Sequence, residues 1–143
     1  MYSNAKFDGP TKHSVGEDEN RVQEFYARSP YPDLGAGLKD PGHWLDAFKT
    51  VAPMPKSGRY LDAGCGTGHI VGGFAKKHAD WDNVAIDLSK PSLQVANELT
   101  KKHSINNVDL HCRSYLDDLS DLGLFDYIGC HGTIHHSEDP VSA

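Results

Sequence analysis

The segment Leu61-Asp62-Ala63-Gly64-Cys65-Gly66-Thr67-Gly68 constrains this chain more than any other. Its glycines alternate, and an acid stands two residues ahead of the first. Arg59-Tyr60-Leu61 reads as a strand before the turn, and His69 to Lys77 reads as a helix after it. A strand, a glycine turn and a helix in that order bring backbone N–H groups and a helix N-terminus to face a ligand. The spacing Gly64-x-Gly66-x-Gly68 departs from the G-x-G-x-x-G of a dinucleotide site. Asp62 would repel a pyrophosphate. It would attract an ammonium group or ribose hydroxyls.

A ligand with an amino acid end, a ribose and no phosphate fits that turn, which points to S-adenosylmethionine. Its carboxylate is expected near the helix N-terminus, where the partial positive charge favours an anion. A second motif supports the first. Val84-Ala85-Ile86-Asp87 is an apolar run ending in an acid, 19 positions beyond Gly68. An acid at about that distance, closing the next strand, accepts from ribose hydroxyls. Leu88 follows, placed to pack on adenine. Asp87 could also cap the next helix, a role for which Ser89 competes, with Pro91 as an early helical residue.

With these residues the chain resembles the class I S-adenosylmethionine-dependent methyltransferases of small-molecule type. Ala85-Ile86-Asp87-Leu88-Ser89-Lys90-Pro91 and the residues to Ala96 resemble that family's second strand and following helix. Phe125-Asp126-Tyr127-Ile128 resembles its fourth strand, and Gly132-Thr133-Ile134-His135-His136-Ser137-Glu138-Asp139-Pro140 the segment after it. Phe25-Tyr26-Ala27-Arg28-Ser29-Pro30-Tyr31-Pro32 resembles a Tyr-Pro-rich lead-in. The likeness covers roughly 56–140, and more loosely 20–50. It implies a Rossmann-like fold and a cofactor site of Asp62, Gly64, Cys65, Gly66, Thr67, Gly68, Asp87, Leu88, Ser114 and Tyr115. The resemblance also implies an acid after the third strand to meet the adenine amino group. Arg113-Ser114-Tyr115 stands there instead, with Asp117 and Asp118 nearby.

Size and composition bound the rest. A chain of 143 residues makes one domain and buries about two-thirds of its unfolded surface. The net charge is −6 with no basic block, which argues against nucleic acid as a partner. No apolar run approaches the roughly 20 residues of a membrane span, and no signal pattern opens the chain. Cys65, Cys112 and Cys130 are widely spaced, which suits reduced thiols and a cytoplasmic location. Cys65 reads as a small filler within the turn.

Three segments are expected: a polar, mobile stretch over 1–18, a helical lead-in over 19–55, and a partial methyltransferase domain over 56–143. In the lead-in, Val22, Phe25 and Tyr26 mark a short amphipathic helix over 20–28. Trp44, Leu45, Phe48 and Val51 mark a second. Beyond Gly58 strands and helices alternate: strand 59–63, helix 69–78, strand 83–87, helix 90–103, strand 107–112, a short helix or turn over 116–122, and strand 125–130. That alternation means an α/β fold with a parallel sheet. With the resemblance it gives a doubly wound sheet of about four strands, order 3-2-1-4. The resemblance implies three further strands, and this sequence stops at Ala143. Strand 125–130 is therefore expected to be an edge that needs covering by the lead-in helices, a swapped element or a homodimer.

Methyl transfer from a sulfonium requires alignment more than a catalytic triad. His131, His135 and His136 follow the fourth strand and are the candidate bases. Cys130, Glu138 and Asp139 would add metal-ligand types, but no second ligand pair stands out and no metal is assigned. Tyr26 and Tyr31 are expected as a lid. The functional expectation is methyl transfer to a small-molecule acceptor, with the short form inactive or active. The alternatives are a non-catalytic donor-binding or oligomerisation module and an NAD-dependent oxidoreductase.

Overall fold

The computed structural model describes residues 17–31, 55–137 and 141. Helix α1 (Glu17–Arg28) comes first, followed by β1 (Gly58–Ala63), α2 (His69–Lys77), β2 (Trp81–Asp87), α3 (Lys90–Lys102), β3 (Val108–Cys112) and β4 (Tyr127–Gly129). Single 3-10 turns lie at Ser120–Leu122 and Ile134–His136. The sheet is parallel throughout, in the order β3-β2-β1-β4. The α/β reading and the strand order of the sequence analysis both hold. The expected helix over 44–51 lies outside the described residues.

Alternation along β1 divides the core between two faces. Tyr60 joins Phe74 and Val71 of α2, Leu93 and Ala96 of α3, and Trp81 of β2. Phe74 meets Trp81 edge-on with ring centres 5.3 Å apart, an arrangement aromatic pairs prefer. Leu61 and Ala63 face the other way, with Val84 and Ile86. The helices α2 and α3 cover the first face. Among the described residues the second is covered by the β3–β4 connection, through Tyr115, Leu119, Leu122 and Phe125.

Element boundaries follow local hydrogen bonding. The hydroxyl oxygen of Ser89 caps α3 by accepting from Ser92 N–H at 3.3 Å, and a proline stands in the first turn. Helix α1 starts at Glu17, earlier than expected, where an acid suits the N-terminal dipole. Asn107 falls outside β3 and spends its side-chain amide on the carbonyls of Ala75, His78 and Trp81. It thereby joins the end of α2 to the start of β2.

The fourth strand is shorter than the expected 125–130. Arg59 stacks on the Phe125 ring and donates from Nη1 to the carbonyls of Leu122 and Leu124. Asp126 accepts from Arg59 N–H through its side chain. These contacts hold Phe125 out of the ladder, so β4 pairs with β1 only from Tyr127 to Gly129. It forms the sheet edge, with Ile128 60% exposed. Helix α1 packs against α3 and the Ile134–His136 turn; it is not the cover expected for that edge. No helix among the described residues is long and apolar enough to cross a membrane.

Candidate functional site

The carboxyl ends of the four strands open into one cavity of about 270 Å3. It lies at the carboxyl end of the sheet, where the strand order reverses between β1 and β4, the place where open α/β sheets take ligands. The end of β1 contributes Asp62 and the turn after it Gly64, Cys65 and Gly66, while the end of β2 contributes Asp87 and the turn after it Leu88 and Ser89. Tyr115 and Arg113 follow β3, while His131, Thr133 and His136 follow β4. Helix α1 and the residues after it close the remaining side with Gln23, Tyr26 and Tyr31. The volume is close to the lower end for small-molecule sites, about 300 Å3.

The glycine turn is fastened on every side. Gly64 and Cys65 N–H both donate to the Ile86 carbonyl, at 2.8 and 3.0 Å. Gly66 N–H donates to Asp87 Oδ2 at 2.8 Å. Thr67 N–H donates to the Tyr31 carbonyl at 3.0 Å. A side chain at Gly64 is barred by Thr133, whose Cγ2 would lie 2.1 Å from the added carbon. At Gly68 an added carbon would lie 2.7 Å from Ala96 Cβ. That glycine therefore serves the packing of α2 on α3. The expected open helix N-terminus is partly spent: Asp62 receives the Val71 N–H, and Gly66 and Thr67 N–H point to protein oxygens.

Two buried acids dominate the electrostatics. Asp62 is 1% exposed. Burial raises its pKa to about 7, the Asp87 charge adds to this, and the Val71 and Tyr60 hydrogen bonds oppose it. Its Oδ2 has no hydrogen-bond partner among the described residues. Burial also pushes Asp87 upward, against the pull of the Ser89 and Gly66 N–H groups. Arg113, a cation on the cavity wall, does not neutralise these acids. Its Nη1 sits 2.8 Å from both carboxylate oxygens of Asp121, and its Nη2 donates to the Asp118 carbonyl. The cavity therefore favours a ligand that brings positive charge and hydroxyl donors.

The three histidines separate. His131 lines the cavity while remaining exposed on its other side, and partial desolvation lowers its pKa. His136 also lines it, but its Nε2 is 3.2 Å from the Tyr26 hydroxyl and its ring lies 4.0 Å from that of His135. Burial, then His135, lowers its pKa. His135 is exposed and is not among the lining residues. Thr133 ties this segment to the glycine turn by donating to the Gly64 carbonyl at 3.3 Å and the His131 carbonyl at 3.0 Å.

Of the expected cofactor residues, Asp62, Gly64, Cys65, Gly66, Asp87, Leu88 and Tyr115 share the cavity wall. Thr67, Gly68 and Ser114 lie behind it. Thr67 Oγ1 pairs with His69 Nδ1 at 3.1 Å. Ser114 is buried, its N–H on Asp117 Oδ2 at 2.9 Å and its hydroxyl oxygen accepting from Leu116 N–H at 3.1 Å. The nearby acid Asp117 is thus spent within its own turn. Val22, Gln23, His69, Ile70, Ser92 and Thr133 line the cavity unforeseen. The spacing of Val22 and Tyr26 carried a signal, since it puts both on one helix face. Periodicity does not say whether such a face meets core or cavity.

Comparison with known proteins agrees with this geometry. The model of the family described as "Methyltransferase domain" matches residues 55–143. The uncharacterized protein RP028 of Rickettsia prowazekii (strain Madrid E) is 35% identical over 110 residues, 75% of this chain and 44% of that protein. The uncharacterized methyltransferase C1B3.06c of Schizosaccharomyces pombe (strain 972 / ATCC 24843) is 32% identical over 96 residues, 63% of this chain and 34% of that one. The structure of PKMT2 from Rickettsia typhi in complex with AdoHcy is similar with a TM-score of 0.56 and 31% identity, across 73% of this chain and 21% of that one. The chain thus spans less than half the length of each of these relatives.

Proposed function

The chain belongs to the methyltransferase domain family, and on that premise we propose that its cavity binds S-adenosylmethionine for methyl transfer to a small-molecule acceptor. The observation that carries this reading is the pair Asp62 and Asp87, both buried beside the glycine turn on one cavity. Asp87 spends one lone pair of each oxygen on Gly66 and Ser89 N–H. A carboxylate has about four acceptor positions, so it can still take the two ribose hydroxyls. Asp62 faces the ammonium group. Leu88 and Tyr115 offer apolar surface for adenine. The AdoHcy complex of the related Rickettsia typhi protein supports the same ligand class. The oxidoreductase alternative fares worse. A diphosphate needs free N–H groups at the turn, and here Gly66 and Thr67 have given theirs away.

When bound, the donor supplies a methyl group already activated on a positive sulfonium. The chain's own residues do the rest. Tyr26, Tyr31 and Ile70 wall the cavity against water. His131, on the cavity wall with its pKa lowered by partial desolvation, receives a proton from an acceptor hydroxyl or ammonium group. His136, its Nε2 engaged by Tyr26, is the weaker base, and His135 is off the wall.

Calorimetric titration tests the reading, with S-adenosylmethionine, S-adenosylhomocysteine and NAD in separate cells. Binding of the first two and not the third is expected. Saturable NAD binding, or no binding of either sulfur ligand, overturns it. Donor binding without methyl transfer to any of a panel of amine and hydroxyl acceptors would leave the non-catalytic module as the better account.

A further inference from the structure

The wall offered to adenine is Leu88, after β2, and Tyr115, after β3. A base held there still carries hydrogen-bonding groups along its edge. Among the described residues, the end of β3 brings no carboxylate to the cavity wall. Asp117 Oδ2 accepts Ser114 N–H, the Ser114 hydroxyl oxygen accepts Leu116 N–H, and Asp121 holds Arg113 Nη1. An exocyclic amine must find its acceptor elsewhere.

Gln23 of α1 stands on the same wall, half-buried. Its Nε2 donates to the Leu88 carbonyl at 3.1 Å, 65 positions along the chain. A carbonyl only accepts, so this bond fixes which end of the amide is which. The nitrogen is held at Leu88, and Oε1 is the end left for a ligand. No other hydrogen bond of this side chain is present among the described residues. Two lone pairs on Oε1 and one N–H therefore remain. A glutamine amide sets an acceptor beside a donor, which matches the amine of adenine and the ring nitrogen next to it. The residue that supports the base with its side chain thus fastens, through its backbone, the amide beside it.

We propose that Gln23 reads the base of the donor: Oε1 accepts from the exocyclic amine of adenine, and the second N–H of Nε2 donates to the adjacent ring nitrogen. The inference rests on the donor-binding reading for its ligand. It adds selection for a 6-amino purine over a 6-oxo purine. An oxo group would set oxygen against Oε1. Turning the amide over to donate would bring Oε1 against the Leu88 carbonyl and forfeit that bond. The discrimination therefore comes from the Leu88 carbonyl as much as from the amide it orients.

The test uses the full chain and two ligands, S-adenosylhomocysteine and S-inosylhomocysteine, in which the purine amine is replaced by an oxo group. In calorimetric titration the parent chain should bind the adenosyl ligand about tenfold to a hundredfold more tightly, the range for one mismatched base contact. Gln23→Met keeps the length of the side chain and removes both hydrogen-bonding groups. It should bring that ratio close to one. A glutamine that only docks α1 on the turn after β2 would, when replaced, weaken both ligands alike and leave the ratio unmoved. A ratio near one in the parent chain, an equal ratio in parent and variant, or loss of both ligands by the variant overturns the proposal and leaves the donor reading standing. Binding of neither ligand by the parent chain overturns the two together.

Discussion

The Asp87 carboxylate lies 2.8 Å from the Gly66 backbone nitrogen and, through its other oxygen, 2.8 Å from that of Ser89. One side chain therefore bridges the turn after β1 and the turn after β2, beside the bonds of Gly64 and Cys65 N–H to the Ile86 carbonyl. Ligand binding and turn geometry depend on the same group. Asp87→Ala should weaken S-adenosylhomocysteine binding by about 1–3 kcal/mol, the usual loss for such a contact. It should also lower Tm in the absence of ligand. Titration and thermal unfolding check both, and unchanged affinity would remove Asp87 from the site.

Asp62 gives a pH dependence whose sign is fixed. Burial, with Asp87 adding, raises its pKa to about 7 from the ordinary 3.8. Between those values the folded chain holds a proton that the unfolded chain has lost. Asp62 therefore makes stability fall as pH rises from about 4 through about 7. A ligand with an ammonium group favours the ionised form, so its affinity should rise with pH up to about 7 and then level. Calorimetry near pH 6, in buffers of different ionisation enthalpy, should register proton release on binding. Asp62→Asn should abolish that release.

Gly68 combines a left-handed backbone, φ 79°, with the Ala96 contact. Gly68→Ala should destabilise the fold by about 2–4 kcal/mol, combining the backbone strain with overpacking. Denaturant unfolding measures it. A variant as stable as the parent would show that α2 and α3 separate more readily than their packing indicates.

Among the histidines, His131→Ala should cut kcat by about a hundredfold with any acceptor that must lose a proton. His135→Ala should leave it near the parent value. Burial lowers the His131 pKa from 6.5. A rate that needs its neutral form should therefore fall on the acid side with an apparent pKa below 6.5. Equal losses at 131 and 135 would show that neither acts as the base.

At the sheet edge, Ile128 is 60% exposed on β4. An edge unpaired among the described residues can template further pairing, and we expect self-association through β4, Tyr127–Gly129. Sedimentation should show a dimer that Ile128→Lys disperses. A monodisperse monomer of the parent chain would refute the pairing.

The parts legible in advance were those that periodicity and glycine placement encode. Alternating strands and helices gave the α/β class, the resemblance gave the strand order 3-2-1-4, and Gly64 and Asp87 stand at the end of the sheet where the cavity lies. The fourth strand was drawn too long because Phe125 and Cys130 look like strand residues; the capture of Phe125 by Arg59 and the side-chain bond of Asp126 are tertiary events. The fate of the N–H groups at the α2 N-terminus was equally hidden. Their acceptors, Asp87 and Tyr31, come from other elements, and no local pattern announces such pairings. Ser114 and Asp117 satisfy one another's turn, which a search for an adenine-binding acid could not foresee.

The crowding of Thr133 over Gly64 has an evolutionary reach. These two positions share one space, so their sizes are not inherited independently. A lineage that enlarges either must yield at the other or spread the turn, and aligned homologues should record that exchange as paired change.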